Sequence, residues 1–439
     1  VIKKLLPQGK TTVFKAQLRI LPSVAFISAF LNNTPVVVIF APIIKHWAKS
    51  VNLPATKFLI PLSYVTILGG ICTLIGTSTN LVVHGMILEA GFEGFSMFEL
   101  GKVGIFIAIA GIIYIFLFSK RLLPDARPDT AVPDEEVEEG EKLHRVEAVL
   151  GARFPGINKK LKDFNFQRHY GAEVKEIKTR NGQRFVTNLD DVVLHEGDTL
   201  VVMADDTFIP TWGESSVFVL LTNGNEPDTS GKKKRWFALL LLVLMIVGAT
   251  VGELPVTKEM FPDIKLDMFF FVSITTIIMA WTNLFPARKY TKYISWDILI
   301  TIACAFAISK AMVNSGVADS VAKFIIGLSD DYGPHVLLAM VFIITNLFTE
   351  LITNNAAAAL AFPLALSISA QLGVSPTPFF VVICMAASAS FSTPIGYQTN
   401  LIVQGIGNYK FTDFVRIGLP LNIITFLISV ILIPLIWNF

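Results

Sequence analysis

Charged residues are scarce in this sequence: Asp, Glu, Lys and Arg make up 16% of its 439 residues, whereas 53% are hydrophobic. No nucleophile and base are grouped as in a catalytic site, so the sequence does not indicate an enzyme. A net charge of +2 gives no indication of nucleic-acid binding. The composition instead predicts a multi-pass protein of the cell (inner or plasma) membrane, in contact with the lipid bilayer.

Cysteine and histidine are also rare, with three and six residues. The histidines are scattered, and no cysteine spacing matches a metal site or a disulfide framework. The three cysteines all lie in apolar stretches, so we expect buried, reduced thiols at Cys72, Cys304 and Cys384.

A short polar pattern occurs twice, once in each half of the chain. Each copy has a cluster of Asn and Thr inside apolar sequence, a proline nine residues after its middle Asn, and a Thr-Asn pair further on. Duplicated polar clusters of this kind are typical of transporters built from two structural repeats, whose substrate and ion sites form where helices break. The copies are Asn32-Asn33-Thr34, Pro42 and Thr79-Asn80, and Thr353-Asn354-Asn355, Pro363 and Thr399-Asn400.

Two apolar segments, 20–44 and 335–370, are interrupted by these clusters and are predicted to be re-entrant helical hairpins. The first is basic at both ends, which a single membrane span would place on opposite sides. Ordinary spans are predicted for most other apolar stretches, and residues 56–88 and 376–405 are predicted to be one broken span in each half.

Basic residues support an inverted topology of the two repeats. With the first hairpin on the cytoplasmic side, 19 Lys and Arg residues fall in short cytoplasmic segments and four fall outside. The second hairpin then enters from the opposite face. In this arrangement residues 124–235 are cytoplasmic.

The domain organisation follows from changes in composition. Residues 1–123 form the first membrane repeat, and its brevity predicts further helices before Val1; residues 236–439 form the second. Residues 124–141, with eight acidic residues and three prolines, are a solvated linker, and 223–235 are a basic linker. Strand and turn patterns in 142–222 predict a small α/β domain.

Cation and anion sites are expected at the breaks, because exposed carbonyls and Asn oxygens suit Na⁺ whereas helix N-termini suit an anion. Asn33 with residues 76–80 predicts one cation site, and Asn354 with residues 393–400 its mirror image. The alternative is that these side chains only hydrogen-bond between ordinary helices. Glu350 has either a functional role or a structural role. In the structural role it pairs with Lys310 or caps backbone groups.

These residues resemble the divalent anion:sodium symporter family, which carries paired Ser-Asn-Thr motifs at two hairpin tips. The resemblance implies a homodimer whose transport domains move as elevators. It implies that substrate contacts and sodium ligands are provided by two overlapping sets of residues. The substrate set is Asn32, Asn33, Thr34, Thr79, Thr353, Asn354, Asn355 and Thr399, and the sodium set is Asn33, Gly76, Asn80, Asn354, Gly396 and Asn400.

The tips depart from the family pattern, with Asn32 and Thr353 in place of Ser and Asn355 in place of Thr. Together with the inserted domain, they look more like the branch that carries sulfate. The expected function is therefore sodium-coupled import of a small divalent anion, sulfate first. A dicarboxylate symporter of succinate type and an anion or metalloid antiporter are the alternatives.

The inserted domain is similar to the TrkA C-terminal (RCK C-terminal-like) domain of potassium-uptake proteins, through segments around 160–174 and 195–200. This similarity implies dimerisation and a small effector of nucleotide type, with a purely structural dimer contact as the alternative. A potassium transport protein is less expected, because the chain has no Thr-Val-Gly-Tyr-Gly-type filter.

Overall fold

The computed structural model describes residues 6–7, 11–125, 144–151, 154–179, 183–205, 208, 212, 217–222, 232–252, 254–260, 266–284, 296–327 and 333–439. These residues are mostly helical, with a sheet of five short strands in the middle of the chain. The first part contains α1 (Val13–Ser28), α2 (Asn33–Ser50), α3 (Leu59–Gly70), α4 (Ser78–Glu89) and α5 (Gly101–Leu122). The middle contains β1 (His144–Leu150), α6 (Phe166–Tyr170), β2 (Glu173–Lys178), β3 (Arg184–Phe185), β4 (Thr199–Ala204) and β5 (Phe218–Thr222). The last part contains α7 (Lys232–Gly252), α8 (Pro255–Met260), α9 (Met268–Trp281), α10 (Trp296–Asn314), α11 (Val317–Gly327), α12 (Gly333–Leu351), α13 (Asn354–Leu372), α14 (Thr377–Ser388), α15 (Gln398–Gly407) and α16 (Phe411–Ile436).

Four of the described helices, α5, α12, α13 and α16, are long and apolar enough to cross a membrane. A fifth span is formed if α10 and α11 count together, although they meet at an angle of 71°. The sequence predicts a membrane span over roughly 294–314. The bend follows directly after it, where Gly316 takes a left-handed conformation with φ 72°.

The two segments interrupted by polar clusters each form a pair of helices. In the first, α1 and α2 are separated by residues 29–32, and in the second, α12 and α13 are separated by residues 352–353. Asn32 and Thr353 have extended ψ angles of 139° and 149°, so the chain leaves one helix and begins the next at these positions. We call Asn32-Asn33-Thr34 tip 1 and Thr353-Asn354-Asn355 tip 2.

The two predicted broken spans are interrupted at equivalent places. The helix α3 ends at Gly70 and α4 begins at Ser78, while α14 ends at Ser388 and α15 begins at Gln398. We call residues 71–77 break 1 and residues 389–397 break 2. Every residue of α3 and all of α14 after Thr377 are buried, as expected for helices that are apolar on all sides. These helices therefore place both breaks deep in the helical core.

The middle region is a five-stranded sheet in the order β3-β2-β4-β1-β5. The predicted strands at 174–177, 185–186 and 199–203 are present as β2, β3 and β4. Every pairing between neighbouring strands is antiparallel. Most of the turn predicted at 180–183 lies outside the described residues.

The start of the last helical part differs from the expectation. The predicted basic linker 223–235 ends before Lys232, where α7 begins. Residues 232–235 are all Lys or Arg, which are good helix formers, so they extend the helix into its flanking charged segment. Residues 223–231 and most of the acidic linker, 126–141, lie outside the described residues.

Candidate functional site

Four helix N-termini converge where the tips and breaks meet. The helices α2 and α13 begin at the tips, and α4 and α15 begin directly after the breaks. None of the four has a side-chain hydrogen bond capping its N-terminus. The first N–H groups of a helix lack intrahelical partners, and the helix dipole adds partial positive charge there.

A cavity of about 810 Å³ lies between these helix ends. Its walls carry hydroxyl and amide groups from all four helix starts. Among the described residues that line it, none is Lys, Arg or His, and the charged one is Glu196. The polar lining residues are Asn32, Thr34, Ser78, Thr79, Glu196, Thr301, Thr353, Asn354, Asn355, Tyr397, Gln398 and Gln404.

Each tip is held by the same hydrogen bond to the preceding helix. Ser28 donates its hydroxyl to Asn33 Oδ1 at 2.7 Å. Thr349 donates to Asn354 Oδ1 at 2.8 Å. In both cases the hydroxyl lies five residues before the Asn, so the geometry at tip 2 reproduces that at tip 1.

The breaks also share a set of hydrogen bonds. In break 1 the hydroxyl of Thr73 accepts from the Gly76 N–H at 3.1 Å, and the Thr73 carbonyl accepts from Asn80 Nδ2 at 2.9 Å. In break 2 the Thr393 hydroxyl accepts from the Gly396 N–H at 3.3 Å, and its carbonyl accepts from Asn400 at 3.1 Å.

The threonine hydroxyls join the breaks to the hairpins. Thr73 donates to the carbonyl of Ala29, and Thr393 donates to the carbonyl of Glu350 at 3.0 Å. Each break is therefore tied by an equivalent bond to the end of the helix that precedes the tip of its own half. Since unwound backbone in a core needs partners for its polar groups, these bonds explain why both breaks are tolerated.

Space explains why glycine stands at positions 76 and 396. A Cβ at Gly76 would lie 2.5 Å from the Gly70 carbonyl oxygen and 2.9 Å from that of Ala29. A Cβ at Gly396 would meet the Thr349 carbonyl oxygen. Neither glycine has a left-handed φ angle, so the requirement is close backbone approach rather than an unusual conformation.

Across the cavity, each tip forms hydrogen bonds with residues of the other half of the chain. Asn33 of tip 1 donates to the Tyr397 hydroxyl at 2.5 Å, and that hydroxyl is 3.0 Å from Thr77 Oγ1. On the other side, Ser78 and Thr79 donate to Asn355 Oδ1 at 3.3 and 3.2 Å. Each tip thus contacts the helix start that follows the break of the other half.

A side-chain oxygen directly after break 1 has no hydrogen-bond partner among the described residues. Asn80 is fully buried, and its Oδ1 has no hydrogen bond among the described residues. The equivalent Asn400 Oδ1 accepts from Ser63 at 2.7 Å. A buried amide oxygen without a donor is costly unless a cation or water binds it. The side-chain oxygen of Asn80 is therefore well placed to be a ligand of Na⁺.

The predicted substrate residues divide into two groups. Six of them line the cavity: Asn32, Thr34, Thr79, Thr353, Asn354 and Asn355. Asn33 and Thr399 are fully buried behind it, bonded to Tyr397 and Ser63. Of the predicted sodium residues, Asn354 and Gly396 reach the cavity wall, while Asn33, Gly76, Asn80 and Asn400 are buried around the two breaks.

Several residues of the site have roles that the sequence did not predict. Ser28 and Thr349 hold the tips, Thr73 organises break 1, and Tyr397 joins the two halves. The first three recur at matched spacing in both halves, a signal that the sequence contains. Tyr397 lies within the predicted segment 393–400, but it stands where the other half has Thr77, so the repeated pattern did not predict its bond to tip 1.

The sheet region contacts the helices beside the cavity. A Cβ on Gly197 would meet the Leu401 side chain, and one on Gly405 would lie 2.6 Å from Thr199 Oγ1. Glu147 of β1 forms an ion pair of 3.1 Å with Lys45 of α2. Burial would raise the pKa of Glu147, but Lys45 and Lys178 outweigh it and lower this pKa to about 2.

Apolar helices of membrane-spanning length, helix breaks in the core and a polar cavity at those breaks define a membrane transport protein. Residues 1–370 and 264–439 match the citrate transporter family, CitMHS, in two overlapping stretches. The chain belongs to this family.

Curated relatives agree with this assignment. An uncharacterized transporter of Synechocystis is 30% identical over 94% of this chain and 81% of its own length. An uncharacterized transporter of Escherichia coli is 25% identical over 95% of this chain and 84% of its own. Sodium/sulfate cotransporter 2 of Chlamydomonas reinhardtii is 31% identical over 64% of this chain and 31% of its own. Together these similarities support a transporter of the divalent anion:sodium symporter type.

Proposed function

We propose that this protein is a symporter that couples sodium entry to the import of a small divalent anion, with sulfate as the preferred substrate. The observation that carries the proposal is the convergence of four uncapped helix N-termini on one cavity, whose described lining residues include no Lys, Arg or His. Such a site binds an anion through N–H groups, hydroxyls and amides. It therefore depends on cations for charge compensation.

Sodium fits the residues around the breaks. Asn80 offers a buried oxygen without a partner, and the unwound segments 71–77 and 389–397 offer carbonyl groups. Asn33, Gly76 and Asn80 would hold one ion, and Asn354, Gly396 and Asn400 the other. Bound sodium supplies positive charge next to the anion. The residues of the chain position the ligands, exclude water and tie each ion site to a tip.

The matched hydrogen bonds support two inverted structural repeats. Tip and break are linked in the same way in both halves, from Ser28–Asn33 and Thr349–Asn354 to the bonds at Thr73 and Thr393. The distribution of basic residues favours an arrangement with the two hairpins on opposite faces. In this topology each hairpin is re-entrant and opens toward its own side of the membrane.

The exchanged contacts between halves support movement of the site as one body. Tip 1 is bonded to Tyr397, and tip 2 to Ser78 and Thr79. A substrate held between them moves together with both tips, as an elevator mechanism requires. The homodimer is proposed from the resemblance to the divalent anion:sodium symporter family.

Sulfate is favoured over a carboxylate by the tips and by the relatives. Asn and Thr at both tips offer several neutral donors that suit a compact tetrahedral anion, and one relative is named a sodium/sulfate cotransporter. The family description, citrate transporter, favours an organic di- or tricarboxylate as the second candidate. A cavity of about 810 Å³ has room for either.

The sheet region is proposed to be a cytoplasmic regulatory domain. It carries Glu196 on the cavity wall and packs Gly197 and Thr199 against α15, the helix that starts at break 2. Restraint of α15 by this contact would slow movement of the site. An effector of nucleotide type that shifts the domain would relieve the restraint.

The test is uptake of labelled sulfate into proteoliposomes with and without an inward sodium gradient. We expect sodium-dependent sulfate uptake that excess succinate or citrate does not inhibit. Choline in place of sodium is the control. Sodium-driven uptake of succinate or citrate without sulfate uptake would establish the second candidate. Uptake driven by an outward anion gradient alone would indicate an antiporter and refute the symport proposal.

A further inference from the structure

A buried polar cluster lies directly behind tip 2, outside both predicted sodium sites. It consists of Glu350 on α12, Ser392 in break 2 and Asn422 on α16. Glu350 Oε1 accepts from the Ser392 N–H at 2.8 Å and from Asn422 Nδ2 at 2.7 Å. Asn422 also donates to Ser392 Oγ at 2.9 Å. The cluster therefore joins three elements at one point.

Two oxygens of this cluster have no partner. Glu350 Oε2 and Asn422 Oδ1 are both buried without a hydrogen bond among the described residues. Asn422 is only 6% exposed. No ion pair to Glu350 is present in the described part of the chain; Lys310, which the sequence offered as its partner, is exposed. A buried carboxylate without a counter-charge is strongly unfavourable, so the cluster lacks one positive charge.

The first half shows that the fold does not need this cluster. Ala29 is equivalent to Glu350, since the Ala29 carbonyl accepts a hydrogen bond from Thr73 as the Glu350 carbonyl does from Thr393. Cys72 precedes Thr73 as Ser392 precedes Thr393.

The third equivalence comes from two glycines. Gly104 packs closely on the backbone of Ile71 and Cys72, and Gly418 packs in the same way on Phe391 and Ser392. The residue four positions after each glycine is Ala108 in the first half and Asn422 in the second. The first half thus builds the same junction from Ala29, Cys72 and Ala108, which carry no charge and no amide.

We propose that Glu350 and Asn422 bind a sodium ion in addition to the ions at the two breaks. This inference rests on the proposed sodium-coupled transport. Glu350 Oε2 and Asn422 Oδ1 are hard oxygen donors, and one monovalent cation neutralises one carboxylate. Because the site joins α12, break 2 and α16, a bound ion closes the helices around tip 2. With a divalent anion and two other sodium ions, the extra ion makes each import cycle carry net positive charge.

Direct sodium binding is tested first, on the purified full chain without substrate. The thermal midpoint is measured in NaCl and in choline chloride of equal ionic strength, since a ligand of the folded state raises it. Glu350→Gln and Asn422→Ala, the second matching Ala108, should reduce the sodium-induced rise. Asn346→Ala is the matched control. It removes another amide of α12, which is bonded to the Ala389 carbonyl at 2.6 Å, and should leave the rise unchanged.

Transport is tested by the charge moved per sulfate in voltage-clamped proteoliposomes. We expect Glu350→Gln to move about one elementary charge fewer per sulfate than the wild type, and to need roughly tenfold more sodium for half-maximal uptake. An unchanged sodium-induced rise and an unchanged charge ratio in Glu350→Gln would refute the site. A charge ratio that follows external pH rather than sodium would assign a proton to Glu350 and also refute it.

The two proposals fail in different ways. If the wild type imports neither sulfate nor a carboxylate with sodium, the symporter is wrong, while sodium still raises the thermal midpoint through Glu350. If the wild type imports sulfate with sodium but Glu350→Gln behaves as the wild type, only the additional site is wrong.

Discussion

At the scale of single residues, the two equivalent asparagines after the breaks differ in one respect. Asn400 Oδ1 is satisfied by Ser63, whereas Asn80 Oδ1 has no partner among the described residues. The Asn80 oxygen is therefore free for an ion without breaking any existing bond. This difference predicts that the two proposed sodium sites respond differently to loss of the amide.

We predict that Asn80→Ala raises the sodium concentration for half-maximal uptake by about tenfold, which corresponds to ~1.4 kcal/mol of lost binding. Sodium titration of sulfate uptake measures this effect. Ser429→Ala is the control, because it also removes a buried, unpartnered oxygen, but on α16. Unchanged sodium dependence in Asn80→Ala would remove this residue from the cation site.

Sequence patterns located the tips but could not orient each side chain. The polar clusters predicted where both hairpins break, and six of eight substrate residues line the cavity. Asn32 and Asn33 are adjacent and chemically identical, yet Asn32 faces the cavity and Asn33 is buried against Ser28 and Tyr397. That choice depends on where α2 begins and on packing against the other half of the chain. Neither is encoded in local sequence.

At the scale of helices, the close approach of tip and break fixes the shape of each half. Gly76 and Gly396 let the breaks lie against the carbonyls of Ala29 and Thr349. Any side chain at these positions forces tip and break apart. Replacement of the glycine should therefore destabilise both halves to a similar extent.

We predict that Gly76→Ala and Gly396→Ala each destabilise the folded protein by about 1–3 kcal/mol, as overpacking does in a filled core. Thermal unfolding in detergent measures the loss. Gly327→Ala is the control, since a Cβ there would meet nothing within 4 Å. Wild-type stability in both glycine variants would contradict the close approach.

At the scale of the whole molecule, an ion pair joins the sheet region to the helices. Lys45 and Glu147 lie 3.1 Å apart, and both are largely buried. The lowered pKa of Glu147 means that its stabilising contribution is complete above its ordinary value of 4.5 and is lost as pH falls toward about 2. The contact should therefore persist unchanged from about pH 5 to 8.

We predict that Lys45→Gln increases the rate of sulfate uptake, because it removes the charge that holds the sheet region against the helices beside the cavity. The increase should be the same throughout that pH range. Lys49→Gln, one turn further along α2 at an exposed position, should have no effect. Equal rates for the two variants would show that the contact does not restrain transport.

The lack of a basic side chain among the described lining residues also affects how well the cell conserves the energy of its ion gradient. An anion that crossed alone would carry its whole negative charge into a region of low dielectric, with no lysine or arginine among the described lining residues to offset it. Under the proposed symport, leak of the unaccompanied anion is therefore suppressed by electrostatics rather than by a mechanical gate. A lysine or arginine introduced into this wall would bind the anion more tightly, and would also let it slip across without drawing on the ion gradient.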